Sequence, residues 1–366
     1  MRQLLFKWGI GLYLLMGAYN LSAQVVTEAN QADKKIIEDT LDEVIQAFND
    51  GEYDGKMTET LIELSDQAFE ITVARLEKQR MLQPTAPYWA YYLGVIHEQA
   101  GLYRKAIPYY EESFALDFDA FDVYRLAYCY ERLSDYYRAL QYCNQAIALD
   151  NEEPLYLHLK AWLLDHTGQT EEAIVAMSDY ISQVPDRPSA YYARGWFEEH
   201  SGKAAEAIAD FSTCIRLAPE YAYAYLNRGV IYMRAGEWER AEEDFRKVIE
   251  LETDPAKAEC AYYAYFYLGK RNQAVEWLSK ALENGDRGTY YDAACLYAQM
   301  GEPDKALGYL RECLKRGYRR FAHIRRDRML ESLHNLSAFE GLLKEYEQIH
   351  AQEIQVGVEV TTHCKG

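Results

Sequence analysis

One spacing of 34 residues constrains the fold of this chain more than any other feature of the sequence. Gly195 and Gly229 are 34 residues apart, and so are Ala207 and Ala241. The register extends in both directions and gives seven repeats, which begin at Pro87, Ala120, Pro154, Pro188, Ala222, Pro255 and Arg287. A period of this size is typical of an array in which each repeat buries its apolar face only against its neighbours.

Two positions inside the repeat predict its local structure. The twentieth residue is alanine in all seven repeats, and the fifteenth is glycine in six, with Ser134 in the second repeat. Glycine ends a helix at little energetic cost because it adopts positive φ without steric strain. A small residue at position twenty lets two helices approach closely. The pattern therefore predicts two helices per repeat, joined by a turn at position fifteen.

This pattern resembles the tetratricopeptide repeat over residues 87–317. The resemblance implies an all-α fold, a right-handed superhelical solenoid of helix-turn-helix repeats with helical caps. The sixth repeat departs from the pattern, because Tyr262 stands where most repeats have a small residue, and its first helix is apolar nearly all round. Such a helix is predicted to be more deeply buried than the others.

The flanks of the array lack the repeat signature. Residues 30–84 are predicted to form an N-terminal helical cap or degenerate repeat, with two helices that end near Gly51 and Pro84. Residues 318–349 resemble the end-of-group segment that closes some tetratricopeptide arrays. Residues 350–366 form a tail in which Ile354, Val356, Val358 and Val360 alternate with other residues, a pattern typical of a strand.

Residues 1–23 are predicted to be a secretory signal. Arg2 and Lys7 precede an apolar stretch, and small residues follow up to Ala23. The stretch is shorter than the ~20 residues that a membrane span needs, which favours cleavage over an anchor. The run Leu21–Gln24 resembles signal ends of secreted Bacteroidetes proteins, and that resemblance implies a periplasmic or secreted protein.

Composition and missing motifs exclude several classes of function. The 366 residues carry a formal charge of −19, which argues against nucleic acid, since its binding depends on Lys and Arg at phosphates. The mature part has no apolar run that could span a membrane. Nucleophile-elbow, Walker, zincin and dinucleotide motifs are missing. Some secreted Bacteroidetes proteins that this arrangement resembles carry a retropepsin-like domain after the array, and the Asp-Thr-Gly or Asp-Ser-Gly turn of such a domain is also missing. We therefore expect a non-catalytic protein without cofactor or metal.

Cysteine and histidine positions leave two alternatives open. Seven cysteines cannot all pair internally, but Cys129 and Cys143 fall on the two helices of one repeat, where an oxidising compartment would permit a bridge. His166 and His200 share one position of adjacent repeats and each follows an acid, so the pairs could bind a metal. A solvated helix end is the preferred interpretation, because no third ligand suggests itself.

By resemblance to the family, the first helix of each repeat lines a concave groove, and in this chain that face is predominantly aromatic. The candidate ligand-binding residues are Tyr91, Tyr124, Tyr128, His158, Trp162, Tyr192 and Trp196. Tyr and Trp recur at binding hot spots, although aromatic residues also simply fill helix interfaces in such repeats. The Lys and Asn that clamp a peptide carboxylate in chaperone-binding relatives are missing from these positions.

The sequence therefore predicts an interaction scaffold that binds an extended peptide or a partner protein in its aromatic groove. One alternative is an accessory in carbohydrate binding or uptake that stacks sugars on Trp162 and Trp196, and another is an accessory module of a protease-like system. A basic run between Arg311 and Arg328, in an otherwise acidic chain, could dock an acidic partner. It could equally be a solvated cap that balances neighbouring carboxylates.

Overall fold

The computed structural model describes residues 31–51 and 55–356, and these residues are helical without any strand. Twenty α-helices occur in them: α1 (Gln31–Asn49), α2 (Gly55–Gln67), α3 (Phe69–Leu82), α4 (Pro87–Gln99), α5 (Tyr103–Asp117), α6 (Ala120–Arg132), α7 (Tyr136–Leu149), α8 (Pro154–His166), α9 (Thr170–Gln183), α10 (Pro188–His200), α11 (Ala204–Leu217), α12 (Ala222–Arg234), α13 (Trp238–Leu251), α14 (Ala261–Tyr267), α15 (Arg271–Glu283), α16 (Arg287–Gln299), α17 (Pro303–Lys315), α18 (Phe321–Arg326), α19 (Glu331–His334) and α20 (Ser337–Val356). The predicted all-α class, built from tandem helical repeats, is confirmed.

The helices pair as hairpins in the register of the repeat. The first helix of six repeats begins at the residue where the 34-residue register places the start of the repeat. Position fifteen has a positive φ in every repeat, from +60° at Ser134 to +89° at Gly168. The turn closes on the preceding helix: in the fourth repeat the Lys203 amide donates to the Glu198 carbonyl at 2.8 Å. These bonds satisfy carbonyls that a helix end would otherwise leave unpaired.

Small residues at position eight set the spacing inside a hairpin. At Gly195 a Cβ would lie 3.1 Å from the Phe211 ring and 3.2 Å from the Ala207 carbonyl oxygen. At Gly229 it would lie 2.8 Å from the Phe245 ring. In these two hairpins the helices therefore approach so closely that only glycine fits at position eight without displacing the opposite ring.

The sixth repeat departs from this geometry, as its sequence indicated. A 3₁₀ turn at Pro255–Lys257 replaces the start of the first helix, and α14 begins only at Ala261. The Glu252 carboxylate accepts hydrogen bonds from the amides of Cys260 and Ala261 at 3.1 and 2.7 Å. Tyr262 is buried to 1% exposure, in agreement with the predicted burial of this apolar helix.

Two predictions for the flanks are wrong. Residues 55–82 form two helices where one was predicted, because Ala68, at φ −150° and ψ 62°, interrupts the helical backbone between α2 and α3. At the other end α20 continues to Val356. Ile354 and Val356 are therefore helical and do not belong to a strand. The predicted signal at 1–23 and the rest of the tail, 357–366, lie outside the described residues.

The described residues fall into two compact units, with the boundary between Leu133 and Ser134. The second compact unit holds the third to seventh repeats, each hairpin packed on the next, and ends with α18, α19 and α20. Its largest core runs from Leu226 to Tyr346. Within the part of the chain that the structure describes, no helix is long and apolar enough to cross a bilayer.

Candidate functional site

The seven predicted binding residues divide between the two compact units. Tyr91, Tyr124 and Tyr128 lie in the first compact unit, on α4 and α6. His158, Trp162, Tyr192 and Trp196 lie in the second, on α8 and α10.

In the first compact unit, Tyr91 belongs to the core. It is 8% exposed, and its ring lies 5.3 Å from that of Tyr92 and 6.0 Å from that of Tyr110. Burial raises the pKa of the Tyr91 hydroxyl above its usual value. Tyr124 and Tyr128 are half-buried, so the predicted row is partly a structural layer here.

In the second compact unit, Trp162 and Trp196 form a pair. Their ring centroids are 5.9 Å apart and both side chains are half-buried. The Trp196 ring packs on His200, with centroids 3.9 Å apart, and His200 Nδ1 lies 2.8 Å from the Trp196 carbonyl oxygen. The buried ring of Phe197 supports both tryptophans. Adjacent repeats thus place two indoles next to each other.

His158 and Tyr192 pack away from this pair. The His158 ring lies 5.2 Å from that of Tyr180, and burial lowers the pKa of the imidazole to about 4. The Tyr192 ring lies 5.8 Å from that of Phe211, and its hydroxyl accepts a hydrogen bond from Asn227 Nδ2 at 3.1 Å. These contacts hold neighbouring helices together.

Two carboxylates border the tryptophan pair. Asp165 is 1% exposed, and its Oδ1 accepts a hydrogen bond from Thr170 Oγ1 at 3.0 Å. Burial raises the pKa of the Asp165 carboxyl. Glu199 forms an ion pair with Arg234 and lies 3.3 Å from His200 Nδ1. We call the surface formed by Trp162, Asp165, Trp196, Glu199 and His200 the aromatic groove.

Residues 318–330, here called the closing segment, lie on the aromatic groove. The His323 ring is 5.3 Å from that of Trp196 and 5.8 Å from that of His200. Arg326 Nη2 donates to the Asp165 carbonyl oxygen at 3.0 Å, and Nη1 donates to Thr170 Oγ1 at 2.8 Å. Arg328 Nη1 lies 3.6 Å from Glu199 Oε1. The groove of this compact unit is therefore occupied by the protein's own polypeptide.

The opposite face of the closing segment covers the end of the array. Ile324 and Leu330 are fully buried in the large core. Tyr318 stacks on Tyr291 with ring centroids 4.7 Å apart, and the Tyr291 hydroxyl donates to Asp327 Oδ2 at 2.7 Å. The segment thus has an apolar face that caps the last repeats and a basic face that meets the groove.

The basic run is largely paired with carboxylates of the same chain. Arg311 Nη1 lies 3.1 Å from Glu345 Oε2, and Arg319 Nη2 lies 3.1 Å from Glu353 Oε1. Arg325 pairs with both Glu340 and Glu347 on α20. These contacts agree with the interpretation of a cap that balances neighbouring acids better than with a surface kept for an acidic partner.

The cysteines and histidines form no reactive cluster in the described part of the chain. Cys129 and Cys143 are buried free thiols, as are the other four described cysteines, and Cys364 lies outside that part. Burial raises the pKa of the Cys129 thiol, which keeps it unreactive. His166 and His200 with their acids do not form part of any group of three ligands suited to a metal within residues 35–51 and 56–353.

Sequence reasoning missed that His323 and Arg326 belong to the groove. Arg326 and its carbonyl acceptor on Asp165 are 161 residues apart, and no spacing in the sequence encodes that contact. The only signal was the basic run in an acidic chain, which suggested a docking surface without saying what it docks on.

Comparison with known protein families also identifies the repeats in this chain. Residues 123–153, 158–219, 222–254 and 288–316 match models of the tetratricopeptide repeat. A chloroplastic protein of Arabidopsis thaliana is 33% identical over 92 residues, which are 23% of this chain and 27% of that protein. The chain thus matches about a quarter of the length of this curated relative.

Two solved structures are similar to parts of this chain. A tetratricopeptide repeat protein from Parabacteroides merdae aligns over 69% of this chain and 96% of its own, with 18% identity and a TM-score of 0.51. MamA from Desulfovibrio magneticus aligns over 45% of this chain and 94% of its own, with 20% identity and a TM-score of 0.44. At these identities the likeness to the first structure concerns the fold alone.

Proposed function

We propose that this chain of tetratricopeptide repeats is a non-catalytic interaction scaffold that binds a polypeptide segment of a partner protein in the aromatic groove. The observation that carries the proposal is the occupation of the groove by the closing segment. A surface that already packs on a helical stretch of polypeptide and accepts hydrogen bonds from it offers the kinds of contact that such a ligand needs.

The chemistry of the groove suits binding rather than catalysis. Trp162 and Trp196 offer large apolar surfaces, and aromatic residues of this kind contribute much of the affinity at protein interfaces. Asp165 and Glu199 add negative charge next to them, which orients a ligand and selects its charge. Among the described residues, Asp165 contacts the Thr170 hydroxyl and Glu199 contacts His200 and Arg234, an arrangement that suits recognition of a ligand.

The carbohydrate alternative has less support. A sugar ring would have to stack on an open indole face, but the Trp196 ring already packs on His200 at 3.9 Å and on His323 at 5.3 Å. A glycan would therefore have to displace an aromatic contact and two arginine contacts. A polypeptide with similar side chains would form equivalent contacts in their place.

Capture of partners from the native envelope tests the function. The mature wild-type protein is compared with Trp196→Ala and with Trp238→Ala, a matched control, since Trp238 is 59% exposed on α13 and outside the groove. We expect a protein retained by the wild type and by Trp238→Ala but lost with Trp196→Ala. Retention by all three, or by none, would contradict the proposal.

The proposed location is the periplasm or another compartment outside the cytoplasm. It depends on the sequence of residues 1–23, with its basic start, apolar stretch and small residues before Gln24. N-terminal sequencing of the protein from its native host should begin near Gln24. A chain that still begins at Met1 would contradict the assignment.

A further inference from the structure

The closing segment and the groove together specify the ligand, an inference that rests on the proposed function. We propose that the aromatic groove recognises an arginine-bearing basic polypeptide segment, and that the closing segment occupies the groove as an internal competitor. The closed structure is then a resting state, which a partner with better-placed arginines opens.

The charges of the groove select a basic ligand. When the closing segment leaves, Arg326 and Arg328 no longer face Asp165 and Glu199. Arg234 still pairs with Glu199, so Asp165 becomes the carboxylate without a cation. A guanidinium suits this place, because it pairs with a carboxylate in a planar, two-point geometry and stacks on indole rings.

The internal ligand fits this place imperfectly. Arg326 reaches the backbone carbonyl of Asp165, but its guanidinium stays 3.8 Å from the Oδ1 atom of the carboxylate. The buried Oδ2 atom accepts no hydrogen bond from the described residues. A ligand arginine that reaches both oxygens satisfies an acceptor that the closing segment leaves unpaired, and an unpaired buried acceptor is costly.

The closing segment also contacts the groove less strongly than it contacts the last repeats. The side chains of Arg326 and Arg328 are partly exposed and their guanidinium groups lie 3.8 and 3.6 Å from the carboxylates of Asp165 and Glu199, and ion pairs at such distances with partly exposed partners stabilise little. Ile324 and Leu330, on the other side, are fully buried. The closing segment therefore gives up its contacts with the groove more readily than its contacts with the last repeats.

Neighbouring arginines supply a matched pair of variants. Arg326 and Arg328 face the groove, whereas Arg325 pairs with Glu340 and Glu347 on α20 and makes none of the groove contacts described above. Removing the first two weakens the internal competitor. Removing Arg325 changes the charge of the same segment without touching the groove.

The test measures binding of a synthetic peptide, residues 317–330 of this chain, to the mature protein. In the wild type the tethered segment competes at a high effective concentration, so the peptide binds weakly. We expect the Arg326→Ala/Arg328→Ala variant to bind it roughly ten-fold more tightly and the Arg325→Ala variant to bind it like the wild type. A peptide with alanine in place of its two groove arginines should not bind.

Equal affinity of the peptide for the wild type and the double variant would overturn the proposal, as would a gain of the same size in Arg325→Ala. Light scattering at the concentrations used identifies the occupant. A dimer that forms without peptide when the double variant is mixed with the wild type would mean that the closing segment of a second copy fills the groove, which overturns the assignment of a foreign ligand. Because the probe is this chain's own peptide, the result is independent of whether envelope capture finds a partner.

Discussion

Arg228 and Asp244 form a two-point ion pair across one helical hairpin, with Nε 2.9 Å from Oδ2 and Nη2 2.7 Å from Oδ1. The remaining nitrogen, Nη1, donates to Ser212 Oγ of the preceding repeat at 2.9 Å. The same three contacts recur 34 residues earlier, among Arg194, Asp210 and Ser178. One arginine therefore joins both helices of its own repeat to the repeat before it.

This contact should contribute measurably to stability. Arg228→Ala leaves the Asp244 carboxylate, whose side chain is 5% exposed, without its cation, and breaking such a pair costs about 3 kcal/mol. Arg246→Ala is the matched control, because Arg246 pairs with Glu242 on the surface of α13 and such pairs contribute less than ~1 kcal/mol. Urea unfolding compares the two variants, and equal losses would contradict the role of Arg228.

Glycine at position eight of the fifth repeat should be required by the close spacing of its hairpin. In Gly229→Ala the new Cβ lies 2.8 Å from the Phe245 ring, so the ring must move, and we expect a loss of ~1–3 kcal/mol. Gly308 is helical with nothing within 4 Å of an added Cβ, and Gly308→Ala should stabilise α17 by ~0.5–1 kcal/mol. Thermal unfolding measures both, and opposite signs are the expected result.

Ser134 should be a site where a single substitution stabilises the array. It has φ +60° at the position where the other six repeats have glycine, and a side chain in this conformation costs ~1 kcal/mol or more. Ser134→Gly relieves that strain at the expense of a more flexible unfolded chain, so we expect a gain of up to ~1 kcal/mol. An unchanged or lower unfolding midpoint would contradict this interpretation.

The closed groove should weaken in acid. Burial lowers the pKa of His323 to about 4, with Arg320, Arg326 and His200 acting in the same direction and Asp327 against it. The unfolded imidazole titrates near 6.5, so the neutral ring contributes its full stability above pH ~6.5 and loses it as the pH falls toward 4.

His323→Phe isolates this contribution, because the ring still packs on Trp196 but cannot be protonated. Relative to the variant, the wild type should lose up to about 3 kcal/mol between pH 6.5 and 4. The comparison between the two proteins is needed because burial also raises the pKa values of Asp292 and Glu198 to about 7. Because these two carboxyls stay protonated in the folded protein, they make it less stable as the pH rises over the same range. Parallel pH profiles would contradict the prediction.

Most of the helical array follows from local signals in the sequence. Glycine at position fifteen and alanine at position twenty act within one repeat, so the spacing alone predicts where helices turn and approach. The sixth repeat could be recognised as unusual from Tyr262. Its 3₁₀ turn could not be predicted, because it depends on Glu252 accepting hydrogen bonds from amides seven to nine residues later.

The candidate site could be predicted from the sequence only in part. The pairing of Trp162 and Trp196 was predictable, since equivalent positions of stacked repeats lie side by side. The contact of Arg326 with Asp165 depends on the accumulated rotation of four successive repeats, which no local pattern contains. The repeated ion pairs of Arg194 and Arg228 did have a signal in the sequence. Arginine, aspartate and serine recur there with a spacing of 34 residues, which a search for repeated polar residues would find.

Site-specific photocrosslinking tests the central claim, that the aromatic groove binds a partner polypeptide. A benzophenone amino acid replaces Trp196 in one sample and Trp238 in the other, and each protein is incubated with proteins from its native host. We predict an adduct with a second polypeptide from position 196 and none from position 238. Equal adducts from both positions, or only adducts within the chain from position 196, would contradict the account.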